Sequence, residues 1–206
     1  MNDRDNKYYE IETVIQPIGS LHLGTNSTVP INLMSKLITR MYLQINLPKL
    51  VATKGNVAWI KVLGFSIIKN LKFRAYIYQK GKCDFEVSGY VDTGHIDTHK
   101  FNKMFGNVEE LTSFDSEKNA YTIFVPLHFW LKDQEISIFP FNTRNYDKLE
   151  ISFELRDFKN LIVKSPDAEV IELSSVECSV LTSFVDLDID EYDEVTTFYS
   201  TFGDKI

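Results

Sequence analysis

The feature that most constrains this chain is a strict alternation of apolar and polar side chains in three well-separated segments. Apolar residues occupy every second position in 41–47, 71–77 and 149–155, and mostly polar or charged residues lie between them. Successive side chains of a β-strand point to opposite faces of a sheet, so a period of two indicates a strand with one buried and one wetter face. We therefore expect antiparallel sheets that share one core.

The inward positions of these strands, with those of a C-terminal strand, define the expected core. Its members are Leu43, Ile45, Phe73, Ile77, Ile151, Phe153, Val180 and Phe184. In the C-terminal strand the apolar positions change parity between Phe184 and Val185, which predicts a β-bulge.

Shorter apolar runs and turn signals complete the expected fold. Further strands are predicted at 8–15, 29–34, 83–87, 121–125 and 169–173, with turns around Gly19, Gly55, Gly81 and Pro166. One short helix is predicted at Thr98–Phe105, closed by Gly106. About eight to ten strands with one short helix in a connecting loop predict an all-β, antiparallel jelly-roll sandwich.

No repeat, low-complexity tract or change of composition divides the chain, so we expect one folded domain. Residues 1–7 form a polar N-terminal arm and 8–192 the jelly roll. Residues 193–206 are expected to be a C-terminal tail or the start of a linker to a second jelly roll.

Charge and cysteine content exclude several classes of function. The formal net charge of −7 repels phosphate, so direct nucleic-acid packaging is not expected. The two cysteines, Cys83 and Cys178, form no CxxC pair, which argues against a disulfide framework and favours folding in the cytosol. We predict no membrane span, because no run of about 18 apolar residues occurs, and the polar N-terminus lacks the apolar core of a signal peptide.

The segment Pro126-Leu127-His128-Phe129-Trp130 ends an apolar run. A proline followed by two adjacent large aromatic residues suits a strand that leaves its sheet while its rings fill a core or an interface. The residues alone leave both roles open for Phe129 and Trp130.

The order of motifs around this segment resembles the first jelly roll of the major capsid proteins of nucleocytoplasmic large DNA viruses, of the iridovirus and phycodnavirus type. In that family a strand ends in Pro-Leu-x-Phe-Trp-Phe, followed by a polar turn, an apolar segment with proline, and an alternating strand. Here the corresponding residues are 125–131, 132–135, 136–141 and 148–155. Further similar features are Leu47-Pro48, Trp59, Gly64-Phe65, Met104-Phe105-Gly106 and the acidic segment 187–191.

The sequence departs from the family pattern in two respects. The family's Gly-Gly turn after the long strand is replaced here by 79–82, and the family's chain continues into a second jelly roll. A single-jelly-roll relative, such as a penton or minor capsid protein, is therefore an alternative, as is a scaffold that shapes a membrane and is then removed.

The resemblance implies a structural role in an icosahedral shell, without catalysis, cofactor or metal. It implies assembly into homotrimeric capsomers in the host cytoplasm, with neighbouring capsomers and minor capsid proteins as partners and the virion capsid as the final location. The expected assembly interface contains Pro126, Phe129 and Trp130.

A metal-dependent jelly-roll enzyme is a competing hypothesis. His95, Asp97 and His99 are spaced so that they share one face of a strand, and two histidines with a carboxylate can bind Fe or Zn. Gly94 and the overlapping helix instead favour a polar connecting loop. Asp186, Asp188 and Asp190 resemble the first half of a calcium loop. Other residue types occupy the positions where an EF-hand requires Gly and Glu, so we interpret the three aspartates as the solvated end of a strand.

Carbohydrate or nucleic-acid binding is the remaining alternative. Tyr76 and Tyr78 could form an aromatic platform for a sugar, and nearby cations could add contacts to single-stranded nucleic acid. Those cations are Lys69, Lys72, Arg74, Lys80 and Lys82. The overall negative charge favours the interpretation of this patch as a wet strand face.

Overall fold

The computed structural model describes residues 11–31, 37–77, 82–88, 90–91, 98–128 and 146–185. In chain order the strands are β1 (Ile11–His22), β2 (Asn26–Ile31), β3 (Leu37–Leu47), β4 (Leu50–Lys54), β5 (Val57–Trp59), β6 (Ile68–Ile77), β7 (Lys82–Ser88), β8 (Tyr90–Val91), β9 (Glu117–Lys118), β10 (Tyr121–His128), β11 (Tyr146–Leu155), β12 (Ile162–Lys164), β13 (Glu169–Val170) and β14 (Ser175–Val185). The helices are α1 (Leu63–Ile67), α2 (Thr98–Met104) and α3 (Glu109–Thr112), and a 3-10 turn spans Phe158–Asn160.

Two antiparallel sheets form the body of the fold. The five-stranded sheet has the order β1-β14-β3-β10-β8, and the four-stranded sheet has the order β2-β11-β6-β7. Apart from the consecutive strands β6 and β7, neighbouring strands are distant in sequence, because the chain crosses repeatedly from one sheet to the other. This interleaved order is that of a jelly roll, as the sequence predicted.

The predicted core is confirmed wherever its side chains are described. Seven of its members are at most 2% exposed: Leu43, Ile45, Phe73, Ile151, Phe153, Val180 and Phe184. The side chain of Ile77 lies outside the described residues. Residues from both sheets fill one continuous apolar cluster, which makes the sandwich a single packed body.

A β-bulge in β14 is also confirmed, since its register with β3 shifts between Ser183 and Phe184. The turn expected at Gly19 is wrong. Strand β1 runs through this position, and its register with β14 shifts between Pro17 and Gly19, where Gly19 has a φ of 89°. A glycine with positive φ serves a bulge as readily as a turn, so the residue type alone does not separate the two. The chain turns instead around Gly24.

The predicted helix is confirmed as α2, and Gly106 follows it with a φ of 70°. Helices α1 and α3 were not predicted, because five and four residues are too few to show a helical period. Helix α1 packs closely on the end of α2: the Gly64 amide donates to the Phe105 carbonyl at 2.9 Å.

Two small sheets close one end of the sandwich. Strand β12 pairs with β5, and β4 lies between β13 and β9. These strands lie in the connections that follow β3, precede β10 and precede β14. The pairing of β3 with β10 and β14 brings the end of β3 beside the beginnings of the other two strands. The long connections are thus ordered by pairing with each other.

Candidate assembly interface

The outward face of the four-stranded sheet is a network of ion pairs. Lys72 Nζ lies 2.9 Å from Glu86 Oε1, and Arg74 Nε lies 2.5 Å from Glu86 Oε2. Lys69 pairs with Glu154 on the neighbouring strand. These cross-strand pairs place opposite charges directly beside each other on one face.

Two cations of this network stabilise the charged form of the Glu86 carboxylate. Its hydrogen bond from Arg74, then that from Lys72, lowers the pKa of Glu86 to about 2. The pKa of Glu150 is lowered as well, first by a hydrogen bond from Lys148. Lys69, Lys72 and Arg74, which are the cations of the predicted basic patch whose side chains are described, therefore have carboxylate partners. This supports a solvated strand face over a nucleic-acid site.

Tyr76 is not an open platform for a sugar. Its hydroxyl donates to Glu150 Oε2 at 2.8 Å, and Lys148 Nζ lies 5.5 Å from the centre of its ring. A sugar needs a free aromatic face for stacking, and the Lys148 ammonium occupies the approach to this ring. Tyr78 lies outside the described residues.

The outward face of the five-stranded sheet has a different character. Strand register aligns its side chains in three rows across β1, β14, β3 and β10. The first row is Ile15, Leu181, Tyr42 and Pro126; the second is Pro17, Ser179, Gln44 and Phe124; the third is Ser20, Glu177, Asn46 and Thr122. We call these twelve residues the assembly face.

Polarity changes from row to row along the strands of the assembly face. The first row is apolar, and Ile15 is 58% exposed there. The third row forms hydrogen bonds within the face: Thr122 Oγ1 donates to Asn46 Oδ1 at 3.0 Å, and the Ser20 hydroxyl donates to Glu177. Glu177 is the one charged residue among the twelve, so most of this surface can lose water without breaking an ion pair.

Pro126 occupies a junction within β10. It is buried and is the last β10 residue to pair with β3, opposite Tyr42. The following residue, Leu127, pairs with Val91 of β8. Proline has no backbone N–H to donate to a ladder, which suits a position where a strand changes partners. Phe129 and Trp130 lie outside the described residues.

The sequence alternative of a metal site gains no support from the described part of the chain. His99 is exposed at the second position of α2, while His95 and Asp97 lie outside the described residues, as do Asp186, Asp188 and Asp190. Among the residues that the structure describes, no three His, Cys, Asp or Glu side chains are close enough to hold a metal ion. None of the described helices is long and apolar enough to cross a membrane.

Sequence reasoning missed Ile15 and Leu181 as interface candidates. A signal was available, because both are apolar at outward positions of strands whose inward positions are already apolar. Recognising the row required the register, which brings Ile15 opposite Leu181 and Leu181 opposite Tyr42.

A jelly-roll sandwich is an architecture of viral capsid domains, and also of lectin domains and cupins. The family model for the N-terminus of major capsid proteins matches residues 4–188. The chain belongs to this family, whose members are structural capsid proteins and not enzymes.

A curated relative supports this assignment, and solved structures share the fold. Capsid protein 1 of Acanthamoeba polyphaga mimivirus is 25% identical over 207 residues, which cover 89% of this chain and 35% of that protein. The crystal structure of PBCV-1 VP54 matches with a TM-score of 0.65 at 15% identity, covering 95% of this chain and 46% of VP54.

A third match extends the same fold to another virus. The Faustovirus major capsid protein matches with a TM-score of 0.65 at 9% identity, covering 94% of this chain and 57% of that one. The chain thus spans about a third to a little over half of the length of these three proteins. Membership of this family supports a location of the protein in the virion capsid.

Proposed function

We propose that this chain builds a viral shell by self-assembly, and that the assembly face is one of the surfaces through which copies meet. The observation that carries the proposal is the contrast between the two outer sheet faces. One face carries several cross-strand ion pairs, and the other carries an apolar row that is exposed or partly exposed on the three strands β1, β14 and β3.

Desolvation decides which of the two faces is better suited to a protein neighbour. Burying the ion-paired face removes water from several charges, and that penalty can exceed the attraction between them. Burying the apolar row instead contributes roughly 25 cal/mol for each Å² of apolar surface removed from water. The assembly face, with its single charged residue, is therefore the favourable contact surface, while the ion-paired face is stable when it remains solvated.

The proposed capsomer is a homotrimer, assembled in the host cytoplasm, with neighbouring capsomers and minor capsid proteins as its partners. The second proposed contact consists of Pro126, Phe129 and Trp130, and it shares Pro126 with the assembly face. Modest individual interfaces suffice in a shell, because each subunit makes several of them at once.

Two similarly exposed isoleucines test the assembly face. Ile15 lies on the face and is 58% exposed, whereas Ile171 lies in the connection before β14 and is 53% exposed. Ile15→Glu introduces a charge into the apolar row and should shift association to at least tenfold higher concentration; Ile171→Glu should leave it unchanged. The measurement is mass by light scattering across a dilution series, with thermal melts of each variant. Equal effects of the two substitutions would refute the assignment of the face.

The second contact has its own test. Aromatic anchors in an interface often contribute about 2 kcal/mol or more each. Trp130→Ala should then weaken oligomerisation more than it lowers the melting temperature. If the variant unfolds while the surviving folded protein associates normally, Trp130 belongs to the core instead.

A further inference from the structure

We propose that a contact between Gln16 and Pro30 closes one side of the sandwich against strand addition by a second copy of this chain. The two residues lie on β1 and β2, which are the first strands of the five-stranded and the four-stranded sheet in their spatial order. We call this side of the sandwich the β1–β2 edge. The inference goes beyond the proposed function, because it concerns an association that the fold prevents, whichever surface mediates assembly.

An open sheet edge is a hazard for a protein that must associate in an ordered way. The outer strand of a sheet presents unpaired backbone N–H and C=O groups, which form a template for a strand of another chain. Strand β1 is 12 residues long. Within the described part of the chain, neither β1 nor β2 has a strand neighbour on its outer side. The β1–β2 edge therefore needs some feature that blocks it.

The hydrogen bonds around β2 show which of its residues face the free edge. Strand β2 pairs with β11 along its whole length without a shift in register. Just before β2, the Thr25 carbonyl accepts from the Leu155 amide of β11 at 3.1 Å. The Pro30 carbonyl instead accepts from Gln16 Nε2 of β1 at 2.7 Å. Both backbone groups of a residue in an antiparallel strand point to one side, and that side alternates from residue to residue.

This alternation leaves Asn26, Thr28 and Pro30 as the residues of β2 that face the free edge. Pro30 has no N–H to donate, and its carbonyl is already bonded by Gln16. A strand added to β2 would find both backbone groups at Asn26 and Thr28 alone. Very short edges and edge prolines are known devices against edge-to-edge pairing, and β2 combines the two.

Gln16 occupies a position on β1 that otherwise serves the core. Its neighbours on the same side of the strand, Val14 and Ile18, pack against the apolar cluster. The Gln16 amide reaches across to the other sheet, where it bonds the Pro30 carbonyl. A polar side chain directed inward is costly unless it forms hydrogen bonds. The contact therefore gives this glutamine a role that an apolar residue could not fill.

A proline and a β-bulge interrupt the free edge of β1 directly after Gln16. Pro17 is exposed, and the register of β1 with β14 shifts between Pro17 and Gly19. Bulges bend and twist a strand, and they are found with prolines on edges that proteins protect from pairing. Both strands of the β1–β2 edge are thus blunted, and the contact between Gln16 and Pro30 joins the two blunted sites.

Two substitutions reopen this edge in different ways. Pro30→Val supplies the missing N–H together with a residue of high strand propensity, and Gln16→Met removes the bond to the carbonyl with little change of side-chain length. Pro166→Val and Thr53→Val are the matched controls. Pro166 is an exposed proline in the turn after β12, and Thr53 Oγ1 donates to the Glu169 carbonyl at 3.2 Å.

The measurements are mass by light scattering across a dilution series, thermal melts, and amide hydrogen exchange at high and at low protein concentration. We expect Pro30→Val, and to a smaller extent Gln16→Met, to associate at concentrations at least tenfold lower than the wild type, with both controls unchanged. The Thr28 amide faces the free edge, so its exchange should slow at least tenfold when Pro30→Val associates. The Val29 amide faces β11 and provides the reference.

Several results would overturn the inference. The first is association of both folded variants at wild-type concentrations, and a lower melting temperature without new association would assign the contact to stability alone. Association of Pro30→Val that leaves Thr28 exchange unchanged would place the new contact elsewhere. Slow Thr28 exchange in the associated wild type, which needs no variant, would make the edge itself an interface. None of these results changes the test of Ile15→Glu, so this inference and the proposed function fail separately.

Discussion

Lys118 shows how a charge can be accommodated inside this sandwich. Its side chain is only 1% exposed, it lies opposite the fully buried Leu50, and its ammonium pairs with Asp115 and donates to Ser113 Oγ at 2.7 Å. Asp115 itself is largely exposed, and its hydrogen bond from Lys118 holds the pKa of the Asp115 carboxyl below its usual value. The lysine is thus a buried cation whose partner lies at the surface.

This asymmetry predicts that the two halves of the pair are not equivalent. Asp115→Asn leaves the Lys118 ammonium buried without its counter-charge, whereas Lys118→Met leaves an exposed carboxylate that water solvates. We expect Asp115→Asn to lower the urea midpoint more than Lys118→Met, although both remove the same ion pair. The double variant should resemble Lys118→Met alone. Equal losses in the two single variants would contradict the account.

Substitution of Phe153 tests the packing of the core. It is fully buried in β11, between β2 and β6, so Phe153→Ala should cost about 3–5 kcal/mol of the free energy of unfolding through lost transfer energy and a cavity. Phe114, which is 52% exposed, provides the matched control, and Phe114→Ala should cost well under half as much. Urea titrations followed by tryptophan fluorescence measure both values.

At the level of elements, Gly19 and Gly64 are required for different physical reasons. Gly19 has a φ of 89° with open space where a Cβ would lie, whereas a Cβ on Gly64 would lie 3.0 Å from the Phe105 ring. Gly19→Ala should therefore cost about 1–2 kcal/mol from backbone strain alone. Gly19→Asn should recover part of that loss, because asparagine tolerates the left-handed region, while Gly64→Asn should recover none relative to Gly64→Ala. Thermal melts of the four variants make the comparison.

The outward face of the four-stranded sheet predicts an acid dependence. The pKa of Glu86 falls from 4.5 to about 2 on folding, so its contribution to stability is fully present above pH 4.5 and is lost as the pH falls toward 2. The urea midpoint of the wild type should therefore fall more steeply across this range than that of Glu86→Gln. Glu172→Gln, an exposed carboxylate in the connection before β14, should follow the wild type.

The elements also show where sequence reasoning succeeds and where it stops. Alternation in 41–47 and 149–155 predicted β3 and β11, because burial of one face imposes a period of two over many residues. The five-residue α1 and the pairing of β5 with β12 depend on contacts between connections distant in sequence, which no local pattern records. Gly19 was assigned to a turn because its residue type reports only a backbone conformation.

At the scale of the whole molecule, the family and the jelly roll were predictable from the order of motifs, but the assembly face was not. The motif residues Phe129 and Trp130 drew attention to the end of β10. The apolar row appears only when the register joins Ile15, Leu181 and Tyr42 from three strands. Interfaces of this kind are properties of a surface, and their signal in the sequence is a few apolar residues at outward positions.

One tyrosine on each outer face allows the central claim to be measured directly. Tyr42 lies in the apolar row of the assembly face, and Tyr76 lies in the ion-paired network of the other sheet; both are partly exposed in the single chain. Hydroxyl-radical footprinting, read by mass spectrometry, compares their oxidation in concentrated, associated protein and in dilute, dissociated protein. The account predicts that association protects Tyr42 severalfold and leaves Tyr76 unchanged. Protection of Tyr76 with an unprotected Tyr42 would contradict it.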